Sequence, residues 1–122
     1  MAPMATMPVT LMNPNQAYQS CIDACTKCAQ ICEECFSLCL EEPDANMRTV
    51  HMKELLDCAA ICTLSACAMS RRSHHTVDFC NLCATICDRC ADECATFNDS
   101  HSKQCADVCR ACADECRKMA NM

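Results

Sequence analysis

Four stretches of the chain place apolar or thiol side chains at alternating steps of three and four residues, with polar side chains between them. Such steps are close to one turn of an α-helix, so each stretch gathers these side chains on one face. In three stretches that face consists mainly of cysteine instead of leucine or isoleucine. In the first stretch, Asp23, Lys27 and Glu34 lie away from the thiols and form a solvent-facing side. The pattern predicts amphipathic helices whose buried face is made of thiols.

The cysteine spacing is repeated within the chain. The steps from Cys25 to Cys39 match those from Cys80 to Cys94, and the steps from Cys105 to Cys116 repeat those from Cys83 to Cys94. The two later stretches both end in the tetrapeptide ADEC. We interpret this self-similarity as an internally repeated helix with a thiol face.

Turn-forming residues divide the chain. Residues 1–14, rich in Met, Pro and Thr, are expected to form a flexible leader, and residues 15–122 a single domain. The first helix should run from about residue 15 to residue 42, because Pro43 disfavours helix in the residue before it. Asp44 is a plausible N-cap for the second helix, which continues to about residue 72.

Two further helices follow. The third, capped by Ser73 or Thr76, holds the Cys80–Cys94 stretch and should end near Phe97. A short polar turn over residues 98–100 should then cap a fourth helix that extends to about Ala120. The chain has no Gly and only 3% aromatic residues, so tight hairpins and strands are disfavoured. Short connections favour antiparallel neighbours, and the prediction is an all-α, up-down-up-down four-helix bundle with a Cys-lined core.

Ordinary helix packing is expected to keep the metal-free protein folded. We assign that packing to the alanines and to nine larger side chains: Ile22, Phe36, Leu38, Leu55, Leu64, Phe79, Leu82, Ile86 and Val108.

Charge and composition exclude several functions. A formal net charge of -6 argues against nucleic-acid binding, and no stretch is apolar enough to span a bilayer. No set of residues typical of an enzyme stands out. The first twenty residues lack a positive segment followed by an apolar one, so we expect a cytoplasmic protein, in which thiols stay reduced.

The eighteen cysteines are therefore better explained by metal binding than by disulfides. Zinc and iron–sulfur sites need four cysteines each, usually from loops that wrap the metal, and buried Zn²⁺ tetrathiolates would carry net charge. Cu(I) selects thiolate and accepts low coordination numbers, so two cysteines one turn apart can hold an ion. With bridging thiolates, about one Cu(I) per cysteine would leave the core nearly neutral.

The second helix carries a less regular stripe. His51, Leu55, Cys58, Cys62, Ser65 and Met69 are in phase. Cys67 falls roughly opposite Cys58 and is expected to be a structural or surface cysteine. The predicted metal ligands in the core are Cys21, Cys25, Cys28, Cys32, Cys35, Cys39, Cys58, Cys62, Cys80, Cys83, Cys87, Cys90, Cys94, Cys105, Cys109, Cys112 and Cys116.

Antiparallel packing places the starts of the second and fourth helices beside the ends of the first and third. Met47, His51 and His101 should therefore meet Cys39 and Cys94 at one mouth. Imidazole and thioether bind Cu(I) more weakly than thiolate, which suits uptake sites that pass ions inward.

The pattern CxxxC-x2-CxxxC on successive helices, the stretch CLEEPD and the final CADVCRACADECRKM resemble the copper storage proteins, specifically the cytosolic type without an export leader. The resemblance covers about residues 17–120. It implies a four-helix bundle that stores many Cu(I) ions along its core and assembles as a homotetramer. The flanking strip of Ile22, Ala29 and Phe36 is a further candidate contact with another helix or subunit.

Expected partners are copper ions, together with copper chaperones or small-molecule chelators. Two alternatives remain open at this point: a zinc or mixed-metal thiolate buffer, and an iron–sulfur electron carrier.

Overall fold

The computed structural model describes Leu11 and residues 16–122. Residues 16–122 contain helices and turns but no strand. The four helices are α1 (Gln16–Leu40), α2 (Thr49–Ser70), α3 (Thr76–Ala95) and α4 (Ser100–Ala120), and a 3₁₀ turn (Ala45–Met47) joins α1 to α2. Apart from Leu11, the predicted leader lies outside the described residues, so its flexibility stays a prediction.

The helices form a ring in which α1 packs against α2 and α4, and α3 packs against α2 and α4. Helices that are neighbours in the ring are antiparallel: Cys21 near the start of α1 contacts Cys116 near the end of α4, and Cys39 near the end of α1 contacts His51 near the start of α2. The predicted four-helix bundle is confirmed. We call the end where α1 and α3 finish the mouth end, and the other the opposite end.

Two connections at the mouth end differ in how well the sequence predicts them. Asp99 caps α4 as expected, since its carboxylate accepts the backbone N–H of Ser102 at 2.9 Å. Asp44 does not cap α2, and that prediction is wrong. The chain first makes the 3₁₀ turn, α2 begins only at Thr49, and the Asp44 carboxylate instead accepts from Arg48 Nε at 2.7 Å.

At the opposite end, α2 stops without the glycine that usually follows a helix. Arg72 takes the left-handed conformation with φ of 52°. The Ser73 N–H donates to Ala68 O at 2.9 Å and the Arg72 N–H to Met69 O at 3.1 Å, which is the Schellman pattern. For a residue with a Cβ, this conformation costs about 1 kcal/mol in free energy. The chain contains no Gly that could avoid this cost, and Arg72 adopts the conformation at the end of α2.

The core consists of small side chains, mostly those of cysteine and alanine. Leu55 is its largest fully buried hydrocarbon side chain, and Ile22, Phe36, Ile86 and Val108 pack against its edge. The prediction that Leu38, Leu64 and Leu82 supply helix packing is wrong. They are exposed, because they occupy helix positions outside the thiol stripe.

Met69 and Met119 are buried at the opposite end and belong to the same core cluster. They continue the stripes of α2 and α4 by one more step, Met69 four residues after Ser65 and Met119 three after Cys116. The thiol core is therefore closed by thioether side chains at this end. No helix in the described part of the chain is both long and apolar enough to cross a membrane.

We predict that Leu55→Ala will lower the free energy of unfolding of the reduced, metal-free protein by about 2–5 kcal/mol, because it opens a cavity that the neighbouring cysteines are too small to fill. Urea unfolding followed by circular dichroism will measure it. Leu82→Ala, at a position that is 50% exposed, is the matched control and should cost at most about 1 kcal/mol. Equal losses for the two variants would show that Leu55 does not anchor the bundle.

Candidate metal centre

The centre of the bundle is an array of free thiols. All eighteen cysteines are unpaired, and every one except Cys67 is buried. Neighbouring sulfur atoms from different helices lie 3.6 Å apart for Cys58 and Cys87, and 3.9 Å apart for Cys32 and Cys105. A disulfide bond is about 2.05 Å long, so these are contacts between separate thiols.

The contacts link the sulfurs into a continuous path along the bundle. The path begins at the opposite end and advances through Sγ···Sγ separations of 3.6–3.9 Å, each step joining two helices. Its members, in order, are Cys21, Cys116, Cys25, Cys112, Cys62, Cys87, Cys58, Cys28, Cys109, Cys32 and Cys105. A soft cation bound at one point of this path has its next ligands within reach.

Several sets of four thiols are close enough to surround one ion. The sets are Cys25, Cys62, Cys83 and Cys112; Cys28, Cys32, Cys58 and Cys109; and Cys28, Cys62, Cys87 and Cys112, with all sulfurs of each set within 4.8 Å of one another. The sets overlap, because Cys28, Cys62 and Cys112 each belong to two of them. One cysteine would thus have to serve two ions, which requires bridging thiolates.

The opposite end offers a set of three thiols, Cys21, Cys80 and Cys116, whose sulfurs lie within 4.8 Å of one another. Cys90 is fully buried in the same core between Cys87 and Cys94 on α3. All the core cysteines predicted from the sequence therefore line one interior.

His51 lies inside the mouth end, as predicted. Its Nε2 is 3.2 Å from Cys94 Sγ and its Nδ1 is 3.7 Å from Cys39 Sγ. Burial and the nearby charge of Arg48 lower the pKa of His51, so its ring is neutral and one nitrogen keeps a lone pair. Cys35, Cys39 and His51 form one of the sets whose ligand atoms lie within 4.8 Å.

His101 is at the same end but meets a different thiol from those predicted. Its Nδ1 lies 3.4 Å from Cys35 Sγ, not beside Cys39 or Cys94. Its Nε2 is 2.9 Å from Glu42 Oε1 and 2.9 Å from Asp99 Oδ2. Ionised carboxylates only accept, so Nε2 carries a hydrogen, and Nδ1 is the ring nitrogen that faces Cys35.

Met47 and Cys67 complete the sequence-based set. Met47 lies on the 3₁₀ turn with 77% of its surface exposed, so the structure does not bring its thioether to the thiols. Cys67 is exposed on α2, as its phase predicts.

Sequence reasoning missed Arg48, which seals the mouth end. Its side chain is 4% exposed, and its guanidinium forms ion pairs of 2.7 Å with both Asp44 and Asp99. It also donates to Ser102 Oγ at 3.3 Å and to Cys39 Sγ at 3.5 Å. Although burial opposes it, donation from Ser102 and Arg48 holds the pKa of Asp99 below its usual range. The spacing of Asp44 and Arg48 hints at the first pair, but nothing in the sequence marks Arg48 as buried.

An aromatic ring completes the seal. The Arg48 guanidinium carbon lies 4.1 Å from the centroid of the Phe97 ring, and Phe97 stacks on His51 with centroids 4.7 Å apart. Arginine over an aromatic face is attractive, more so when shielded from water. The seal therefore holds the His51 ring in place beside Cys39 and Cys94.

Burial opposes the ionisation of every core thiol, while hydrogen bonds between thiols raise the pKa of some and lower that of their partners, as for Cys116 and Cys21. Burial raises the pKa of Cys39, and the Arg48 guanidinium offsets this only in part. Hydrogen bonding to Cys112, together with burial, raises the pKa of Cys116. A thiolate becomes favourable here when a cation replaces its proton.

Comparison with known proteins gives a consistent picture. The sequence model of the family described as "Csp: Copper storage protein" matches residues 14–121. The chain is 38% identical over 105 residues to the uncharacterized cysteine-rich protein YhjQ of Bacillus subtilis (strain 168), a match that covers 86% of this chain and 97% of that protein.

Two solved structures are similar in fold and sequence. The Cu(I)-bound copper storage protein BsCsp3 superimposes with a TM-score of 0.82 at 38% identity, covering 86% of this chain and 99% of the other. A cytosolic copper storage protein from Streptomyces lividans, with five coppers, gives a TM-score of 0.85 at 34% identity, covering 88% and 94%.

We predict that Arg48→Ala will lower the free energy of unfolding of the metal-free protein by about 3 kcal/mol, because it leaves two carboxylates without their buried partner. Chemical unfolding at neutral pH will measure it. Arg117→Ala is the matched control: Arg117 also pairs with two aspartates, Asp88 and Asp114, but on the exposed surface, and its loss should be undetectable. A similar loss for both variants would contradict the role given to the seal.

Proposed function

The chain belongs to the copper storage protein family, and on that basis we propose that it stores many Cu(I) ions at about one ion per buried cysteine. The observation that carries the proposal is the continuous path of buried sulfurs at 3.6–3.9 Å. Cu(I) binds thiolate strongly and tolerates two or three ligands, so adjacent ions on this path can share sulfurs. The protein acts by binding and not by catalysis.

The overlapping sets of thiols favour Cu(I) over zinc. A structural Zn²⁺ site takes four thiolates of its own, whereas Cys28, Cys62 and Cys112 each fall in two sets of four. The net charge of the metal-filled core also favours Cu(I) over zinc. One Cu⁺ for each thiolate leaves the interior near neutrality, but a Zn²⁺ tetrathiolate leaves two negative charges in a dry core.

We further propose that His51 and His101 are uptake ligands at the mouth end. Each presents a ring nitrogen to a thiol, His51 to Cys39 and Cys94, and His101 to Cys35. Imidazole binds Cu(I) less tightly than thiolate, so an ion held by a histidine and a cysteine moves readily to sites with more sulfur. Met47 stays a prediction as an exposed thioether at the same end.

The cellular location, the assembly and the partners of the protein are also proposals. The similarity to a cytosolic copper storage protein supports a cytoplasmic location, and free thiols suit a reducing compartment. We also propose that the chain assembles as a homotetramer and exchanges copper with chaperones or small chelators. Partly buried Ile22, Ala29 and Phe36, together with exposed Leu38 and Leu64, supply apolar surface for such an assembly.

Anaerobic titration of the reduced, metal-free protein with Cu(I), against a competing chelator, should reach about 17 ions per chain, close to the number of buried cysteines. Cys67→Ser should leave this capacity unchanged because Cys67 is exposed, whereas Cys62→Ser should lower it. Saturation near a quarter of the thiol count with Zn²⁺, and with no larger capacity for Cu(I), would support a zinc buffer and contradict the proposal.

We predict that His51→Ala combined with His101→Ala will slow copper uptake by at least about tenfold and leave the capacity within one or two ions of the unchanged protein. Stopped-flow transfer from a coloured Cu(I) complex will give the rate, and the titration above the capacity. His74→Ala with His75→Ala is the control, since both histidines are exposed in the α2–α3 turn. An unchanged rate in the first double variant would exclude the histidines from uptake.

A further inference from the structure

We propose that the three thiols at the opposite end, Cys21, Cys80 and Cys116, form a binding site for a soft trivalent metalloid, taken up as arsenous acid, As(OH)₃. Such a site goes beyond copper storage and does not depend on it, because neither the ligands nor the test involves copper. This layer of the core differs from the one beside it in a single respect, which is that α2 contributes no thiol.

Helical spacing defines the layer. The set of four thiols that includes Cys25 draws one cysteine from each helix. One turn further towards the opposite end, the same faces present Cys21 on α1, Cys80 on α3 and Cys116 on α4, whose sulfurs lie within 4.8 Å of one another. The residue at this level of α2 is Ser65. The layer is therefore a set of three thiols that shares no cysteine with the sets of four described above.

Ser65 does not supply a fourth soft ligand. It is fully buried, and its hydroxyl donates to the carbonyl oxygen of Phe79 at 3.4 Å. Phe79 directly precedes Cys80, so this contact places Ser65 beside α3 at the level of the three thiols. A hydroxyl oxygen is a hard donor and a poor ligand for a soft centre. The site thus offers three sulfur ligands from three helices.

Three thiolates match a trivalent metalloid in number and in charge. Arsenic(III) with three sulfur ligands is a neutral pyramid, and its lone pair takes the fourth position, where a fourth sulfur would crowd it. The same three thiolates around a single Zn²⁺ would keep one negative charge, and around a single Cu⁺ two. In a dry interior the neutral complex is the favourable one, and the replacement of a fourth cysteine by Ser65 leaves room for the lone pair.

The cover of this layer is thin and carries no charge. Buried Met69, Met119 and Thr76 lie one turn further out along α2, α4 and α3, and Tyr18 packs against the core from α1. Methionine side chains are unbranched and flexible, so they can move aside for a small solute. Arsenous acid is uncharged at neutral pH, so it crosses this apolar cover without the desolvation cost that an ion would incur.

Binding is a ligand exchange without a change of oxidation state. Each thiol replaces one hydroxyl group of As(OH)₃: an As–S bond forms, an As–O bond breaks, and the thiol proton leaves with the hydroxyl group as water. Three such exchanges release three water molecules and consume three thiols. Arsenic stays trivalent, and neither an oxidant nor a reductant is required.

Native mass spectrometry of the reduced, metal-free protein with equimolar sodium arsenite tests the site. We expect an adduct of one arsenic with the loss of three hydrogens. Cys80→Ser should weaken binding by at least about a hundredfold in competition with dithiothreitol, because the bonds to one centre reinforce each other. Cys90→Ser is the matched control, since it makes the same change at a fully buried cysteine nearer the mouth end of α3. That variant and Ser65→Ala should bind as tightly as the unchanged protein.

X-ray absorption at the arsenic edge supplies a second readout, in which we expect three sulfur neighbours and no oxygen. An oxygen neighbour, an absent adduct, or equal affinities of Cys80→Ser and Cys90→Ser would overturn the assignment of the site. Circular dichroism will show whether each variant is folded before its affinity is compared. A low copper capacity, measured separately, would contradict the proposed function and leave the arsenite result unchanged.

Discussion

The structure depends on one constraint, the cost of placing charge in a dry interior. An array of buried thiols is harmless while each sulfur keeps its proton, and burial raises the pKa of Cys39 for this reason. Removing many protons without compensation would fill the bundle with repelling anions. A monovalent soft cation for each thiolate avoids that outcome. The same constraint explains why the buried guanidinium of Arg48 is matched by two carboxylates, those of Asp44 and Asp99.

A core of cysteines also limits how the bundle can be held together. A thiol is a small side chain, so the interior supplies less hydrocarbon packing than leucine would give. The protein compensates at the ends and edges of the array. Leu55 fills the interior near the mouth end, Met69 and Met119 close the opposite end, and the Arg48–Phe97–His51 stack covers the mouth. Stability therefore comes mainly from the boundary of the array, which leaves its sulfurs free to change ligands.

The sequence predicted the fold and the thiol array because both follow from local periodicity. Steps of three and four place cysteines on one helix face whatever the neighbouring helices do, and the same rule put Cys67 outside. It could not predict contacts that depend on how far one helix is shifted along another. His101 meets Cys35 and not Cys94 for that reason. Arg48 is buried only because Asp99, far away in sequence, arrives beside it, and Asp44 then serves as its partner instead of capping α2.

The unbroken line of sulfurs has a consequence for the order in which cargo leaves. Steps of less than 4 Å let an ion move by making one Cu–S bond as it breaks another, without returning to water. If ions both enter and leave at the mouth end, those that have travelled deepest must wait for those behind them. The bundle then behaves as a last-in, first-out reservoir, in which freshly captured copper is the first returned and the oldest copper, beside Cys21 and Cys116, turns over slowest.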